Sequence, residues 1–292
     1  MLSAEHPLHR SYLYVPGSRP DVMRKALTSG ADAVVLDLED AVAPDRKDDA
    51  RHEVGRMVAE AGPGAGCEVH VRVNDPAGGR WEDDLEAVVH PGLRAIRLPK
   101  VEDAHAIRQV AAALDQLERD AGCPSGSVGV YPIIESARGV SAAEALLTAS
   151  PRVVRLAIGT SDLLADLGIV DGEDPGTLMI RSQLVLTSRI TGAGPPVDSV
   201  YTDLDDEAGL REAARWARSL GFHGKSVIHP RQLGPVHEVF TPTETELARA
   251  RRIVTAYDDA KQAGSGAVSV DGEFIDAAIV ARAAALLGRR SD

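Results

Sequence analysis

Two stretches of this chain end an apolar run on a lone carboxylate. In VYPIIESARGV (130–140) the acid is Glu135, and 27 residues later VVRLAIGTSDLL (153–164) delivers Asp162 in the same way. If both runs are neighbouring parallel strands, the acids leave a sheet whose strands stand ~4.8 Å apart. Carboxylates so close repel one another and lose solvent unless a cation lies between them. Two oxygen ligands with several open positions suit Mg²⁺, which keeps part of its water; Mn²⁺ accepts the same donors. Each acid alone could instead cap the helix that follows it. The pairing, with Arg72 in VRVND and Lys100 in LPKVED at the ends of other apolar runs, favours a metal site. Asp37, Glu39 and Asp40 of the DLED stretch could hold metal-bound water around it.

The elements that must position these residues follow from periodicity. Strand patterns occur at 11–17, 32–40, 68–75, 95–102, 128–136, 152–160, 195–203 and 225–230. Between them run segments of helical spacing, 20–30, 45–62, 80–90, 102–122, 141–149, 177–192 and 206–221, several ending in Gly. Eight strands alternating with helices imply an α/β fold with right-handed crossovers. Over residues 1–240 that number fits a closed (β/α)8 TIM barrel better than an open doubly wound sheet, with catalytic residues at the strand ends. Residues 241–292 form a C-terminal helical extension, Thr243–Gly264 and Gly272–Arg290, joined by AGSGAVSVDG, which reads as a flexible connection.

Composition narrows the function. The 292 residues carry 32 Lys+Arg against 44 Asp+Glu, a net charge of −12, and aromatics are only 3%. Neither a basic face nor stacking platforms for nucleic acid are expected. No apolar stretch approaches the ~18 residues of a membrane span, and the first residues lack the layout of a secretion signal. Cys67 and Cys123 stand far apart, which suggests neither zinc nor a disulfide framework. A reducing cytoplasm is the expected home. GFHGKS fails the P-loop spacing and precedes a strand, while Ser161 lacks the frame of a hydrolase nucleophile. His223, His229 and His237 read as structural.

The ordered series SYLYVPGSRPDVMRKA, ADAVVLDLEDAVAPDRKDDAR, VRVND, LPKVED, PIIESARGV, GTSDLLADLG and SVIHPRQL resembles the citrate lyase beta subunit and malyl-CoA lyase-like family. The resemblance spans nearly the whole chain. It implies a (β/α)8 barrel, a Mg²⁺ ion and the cleavage or formation of a C–C bond in a 3-hydroxyacyl thioester of coenzyme A. By motif, Glu135 and Asp162 match the metal ligands, with Glu135 also touching substrate, and Arg72 matches the binder of the 2-oxo acid. Asp276, in DGEFID, matches an acid such lyases supply to a neighbouring subunit's site, so a trimer or hexamer is implied. Arg10, Arg19 and Lys25 are candidate contacts for the coenzyme A phosphates. Other activities compatible with the resemblance are a citryl thioester lyase subunit working with an acyl-carrier protein, a malyl-CoA thioesterase, and a non-catalytic binder of coenzyme A esters.

Overall fold

A computed structural model describes residues 7–62, 64–170 and 173–288, without the side chains of 173–175. One compact unit runs as far as Phe240 and a second starts at Thr241. In the first, β1 (Ser11–Pro16), α1 (Pro20–Ala26), β2 (Ala33–Asp37), α2 (Lys47–Ala61), β3 (Glu68–Arg72), α3 (Trp81–Val88), β4 (Leu93–Leu98), α4 (Ala104–Asp120) and β5 (Gly129–Ile134) alternate strictly. Then come α5 (Ala137–Leu147), β6 (Ala157–Ile158), α6 (Thr160–Leu167), α7 (Glu173–Thr191), α8 (Glu207–Leu220), β7 (Lys225–Val227) and α9 (Leu233–Phe240). The strands form one parallel sheet in the order β6-β5-β4-β3-β2-β1-β7. The result is an α/β fold of TIM-barrel type built on a curled parallel sheet.

Two expectations need correction here. The 152–160 strand is reduced to Ala157–Ile158, preceded by a single bridge from Val153 to Val130. The 195–203 strand does not form, because Pro195 and Pro196 bring no N–H to a ladder. Val197 and Asp198 still bond to both sides: Val197 donates to the Leu156 carbonyl (2.8 Å) and accepts from Ile158 (3.1 Å), and Asp198 donates to the Gly224 carbonyl (3.0 Å) and accepts from Ser226 (2.9 Å), while the Pro196 carbonyl accepts from the His223 N–H (3.0 Å). Helices α6 and α9 lack counterparts in the sequence reading.

Alternation sorts the strand residues into two sets. Leu13, Val34, Leu36, Val71, Ile96, Leu98, Val130 and Ile134 pack with the helices in the main core. Tyr12, Ala33, Val35, Ala95, Tyr131, Ile133, Ala157 and Val197 pack with one another on the inner face. Helix α4 shows how the outer layer is held. Asp103 caps it by accepting from the His105 N–H, and Ile107, Val110, Ala111 and Leu114 recur at helical spacing as its buried stripe. Truncating Leu114 would forfeit about 2–5 kcal/mol.

A polar layer crosses the inner face midway. The fully buried Arg97 guanidinium sits 4.2 Å from the ring centres of both Tyr12 and Tyr131. Its Nε donates to His70 Nδ1 (3.3 Å), and His70 Nε2 faces Glu68 Oε2 (3.1 Å). Burial is the main reason His70 falls to a pKa of about 3, which keeps the imidazole neutral and able to accept.

The second unit holds α10 (Glu244–Gln262), β8 (Val268–Val270), β9 (Glu273–Ile275) and α11 (Ala277–Gly288). The supposed flexible connection is in fact a hairpin, with Val268 opposite Ile275 and Val270 opposite Glu273. Asp271 and Gly272 both take positive φ, 54° and 83°, as a two-residue hairpin turn demands. Residues 289–290 of the expected last helix lie outside the described residues.

Candidate functional site

Five inner-face columns, followed two residues past an inward-facing member, reach the same cavity. Beyond Val35 stands Asp37, beyond His70 Arg72, beyond Ile133 Glu135, beyond Ala157 Gly159, and beyond Val197 Ser199; all five line a cavity of about 470 Å³, together with Tyr14, Asp40 and Asp162. The C-terminal ends of parallel strands thus converge on one opening.

Glu135 is not the helix cap that one reading allowed. Ser136 fills that role, accepting from the Gly139 N–H (3.1 Å) while donating to Glu102 (2.6 Å), which leaves Glu135 free to face the cavity. Glu135 is only 6% exposed and accepts one hydrogen bond, 2.8 Å from the Lys100 N–H. Lys100 aims that N–H from a left-handed backbone (φ 52°), a strained conformation for a non-glycine residue. Burial, chiefly, pushes the Glu135 pKa up to about 8; the Lys100 N–H and Arg72 oppose this, and Glu39 and Asp162 add to it. Asp162 lies in the first turn of α6, whose N-cap Gly159 offers no side chain.

Arg72 grips Asp37 through both Nε (2.7 Å) and Nη2 (2.6 Å), while Nη1 meets Glu39 (2.7 Å) and Asp40 (3.4 Å). Burial works against its charge, yet the Asp37 carboxylate more than compensates, so its pKa rises above that of a free arginine. Lys100 Nζ bonds Glu39 at 2.5 Å. Five carboxyl groups (Asp37, Glu39, Asp40, Glu135 and Asp162) therefore gather near two cations, Arg72 and Lys100, and the acids outnumber them even with Glu135 holding its proton. A divalent cation suits that imbalance. Among the described residues no group of three or more His, Cys, Asp or Glu forms a closed metal cage. Two carboxylates beside open space are nonetheless what Mg²⁺ uses when it keeps water or takes ligand oxygens.

The other candidates lie apart from this cavity or in the second unit. Arg10 precedes β1, at the end of the strands away from the cavity, and is held by Asp32 through Nε (2.9 Å) and Nη2 (2.7 Å). Arg19 follows β1 at the cavity end, exposed and 3.7 Å from Asp21; Lys25 is exposed in the last turn of α1. Asp276 caps α11 of the second unit, accepting from the Ala278 and Ile279 N–H groups, each at 3.0 Å. Sequence reasoning missed Tyr14, Gly159, Thr160 and Ser199. The inner-face parity of the strands would have found Tyr14, Gly159 and Ser199.

A curled parallel sheet with acids and an arginine at its strand ends defines a protein of TIM-barrel type with a charged site at the strand C-termini. Residues 10–230 match the model of the HpcH/HpaI aldolase/citrate lyase family, and the chain belongs to that family. It is 34% identical over 276 residues to the citrate lyase subunit beta of Leuconostoc mesenteroides subsp. cremoris, covering 94% of this chain and 91% of that protein. It is 36% identical over 282 residues to a (3S)-malyl-CoA thioesterase of Cereibacter sphaeroides strain KD131, covering 94% and 92%. Among solved structures, CitE from Mycobacterium tuberculosis, in complex with magnesium, acetoacetate and coenzyme A, superposes with a TM-score of 0.80 at 29% identity, covering 98% of this chain and 99% of that one. Among the described residues no helix is long and apolar enough to cross a membrane.

Proposed function

We propose that the chain is a Mg²⁺-dependent carbon–carbon lyase that cleaves or forms a 3-hydroxyacyl-CoA of the malyl-, methylmalyl- or citramalyl-CoA type. The observation that carries this reading is the convergence of Glu135, Asp162 and Arg72 on one cavity. The magnesium, acetoacetate and coenzyme A held by the CitE structure support it. Glu135 and Asp162 would hold Mg²⁺, which would supply Lewis-acid stabilisation of developing negative charge on oxygen.

The chain's own residues do the rest. In cleavage the substrate hydroxyl loses its proton to solvent water, the C–O bond becomes a carbonyl and the adjacent C–C bond breaks. Its electron pair passes to the thioester α-carbon as an enolate, which takes up a proton to give acetyl-CoA or propionyl-CoA. Arg72, fixed by Asp37, presents a planar cation to the carboxylate of the 2-oxo acid. Asp276 moves the proton at the α-carbon, supplied from a second copy of the chain in a homo-oligomer, a trimer or hexamer. Arg19 and Lys25 are the surface cations offered to the coenzyme A phosphates; Arg10, at the far end of β1, is not among them.

We also read the sheet as a closed eight-membered (β/α)8 barrel in which residues 197–198 form a member as short as β6, supported by their hydrogen bonds to both neighbours. Second readings are favoured by the names of relatives: a thioesterase acting on malyl-CoA, and a citrate lyase beta subunit acting on an acyl-carrier-protein thioester. The deciding assay supplies acetyl-CoA, Mg²⁺ and glyoxylate, pyruvate or oxaloacetate, and runs the reverse reaction on the matching thioester. Acetyl-CoA with a 2-oxo acid in equal amounts is the expected outcome. Free coenzyme A with malate would replace the lyase reading by the thioesterase one, and activity confined to a carrier-bound thioester would replace it by the subunit.

A further inference from the structure

Thr160 and Ser199 hold one another in the wall of the cavity. The Thr160 N–H reaches Ser199 Oγ at 3.2 Å and Thr160 Oγ1 reaches it at 2.8 Å. Both residues are 4% exposed, and both line the cavity that holds Glu135 and Asp162. Two hydroxyls own two protons. One is spent inside the pair, and the other meets no acceptor among the described residues. Ser199 Oγ already accepts from the Thr160 N–H; with the Thr160 hydroxyl as the second donor both its lone pairs are filled and the spare proton is its own. Buried polar hydrogens are rarely left without a partner. The space Ser199 lines is open to a ligand, and the carboxylates of Asp37, Asp40, Glu135 and Asp162 in the same lining repel a ligand's oxygens. Tyr14, Ser161 and Ser226 also line the cavity, and Arg72 and the Ser199 hydroxyl stand among the donors such an anion can turn to.

We propose that the Ser199 hydroxyl binds an oxygen of a 2-oxo acid in this cavity, and that Thr160 is a positioning residue that turns the Ser199 proton inward. The choice of a 2-oxo acid rests on the function proposed above.

Calorimetry of pyruvate binding, with Mg²⁺ present, tests this on the full chain. Ser199→Ala should weaken pyruvate about ten-fold, the worth of one hydrogen bond, and raise its KM in step while kcat stays within about two-fold. Thr160→Val, which keeps the Ser199 proton and the backbone N–H, should cost no more than about three-fold. A crystal of the native protein with Mg²⁺ and pyruvate reads the same contact without any substitution, and Ser199 Oγ should lie about 2.5–3.0 Å from a pyruvate oxygen. Pyruvate affinity unchanged in Ser199→Ala overturns the proposal, as does a pyruvate bound beyond reach of Ser199 or no pyruvate binding at all. Should the native protein bind pyruvate through Ser199 yet make no product with acetyl-CoA, the lyase reading falls and the donor role stands.

Discussion

Two buried polar layers lie one above the other on the inner face, and they settle their charge differently. In the lower one, Arg97 is fully buried and spreads its charge over two tyrosine rings and a neutral His70. The polar side chains there are closed in by the strands that carry them. In the upper one, Arg72 and Lys100 are both committed to acids, and carboxylates are still left over beside open space. A buried cation with aromatic company is a packing solution. An uncompensated cluster of acids at a cavity is an invitation to a guest, because its cost in the empty protein is relieved by a proton on Glu135 or by binding a cation.

The largest expected effect separates the layers outright. Glu135→Ala or Asp162→Ala should lower Mg²⁺-dependent turnover at least about ten-thousand-fold, roughly 5 kcal/mol of transition-state stabilisation. Arg97→Met should leave Mg²⁺ affinity within about two-fold and change unfolding free energy by less than about 1.5 kcal/mol, since an apolar replacement of similar volume spares a buried charge. Full turnover in either acid variant would remove the basis of the metal site. Loss of Mg²⁺ binding in the arginine variant would show that the two layers act as one.

A smaller effect concerns pH. Glu135 has its pKa raised from 4.5 to about 8 in the folded chain. Between those values the metal-free folded protein holds a proton that the unfolded chain has released. Stability therefore falls as pH rises from about 4.5 to about 8, by a few kcal/mol, and levels off above. The same proton competes with a cation, so Mg²⁺ affinity should climb by up to about ten-fold per pH unit toward pH 8. Glu135→Gln should flatten the stability slope in denaturant melts run across that window. An equal slope in both proteins would place the titration elsewhere.

Much of this contrast was legible in the residues themselves. Alternation of strand and helix patterns located most of the parallel sheet, and the rule that strands release catalytic groups at their C-terminal ends picked out Arg72, Glu135 and Asp162. Three things were harder to read. The segment 195–203 looks like a strand by composition, yet two prolines deprive it of a ladder, and only its two-residue core joins the sheet. The hairpin at Asp271–Gly272 carries a strong turn signal, but each flanking strand has just three residues, too few for a period to stand out. Gly159 and Ser199 bear no charge and no motif of their own. Their significance lies in being the next inward position after Ala157 and Val197, which requires the register of the sheet.

Gly159 gives the finest test of how the upper layer is built. A Cβ at this position would stand 2.6 Å from both Cγ and Oε1 of Glu135, closer than real atoms approach. The obstacle is the far part of a flexible side chain, so Glu135 can swing aside without moving backbone. Gly159→Ala should then cost less than about 2 kcal/mol of stability. The carboxylate, however, would be displaced from its seat beside the Lys100 N–H, and metal sites lose about ten-fold or more in affinity when a ligand is misdirected. Titration of Mg²⁺ against Gly159→Ala, read beside its thermal melt, distinguishes weakened binding in an intact fold from general damage. An unaltered Mg²⁺ affinity would mean that the position of Glu135 seen here is not the one that matters for the ion.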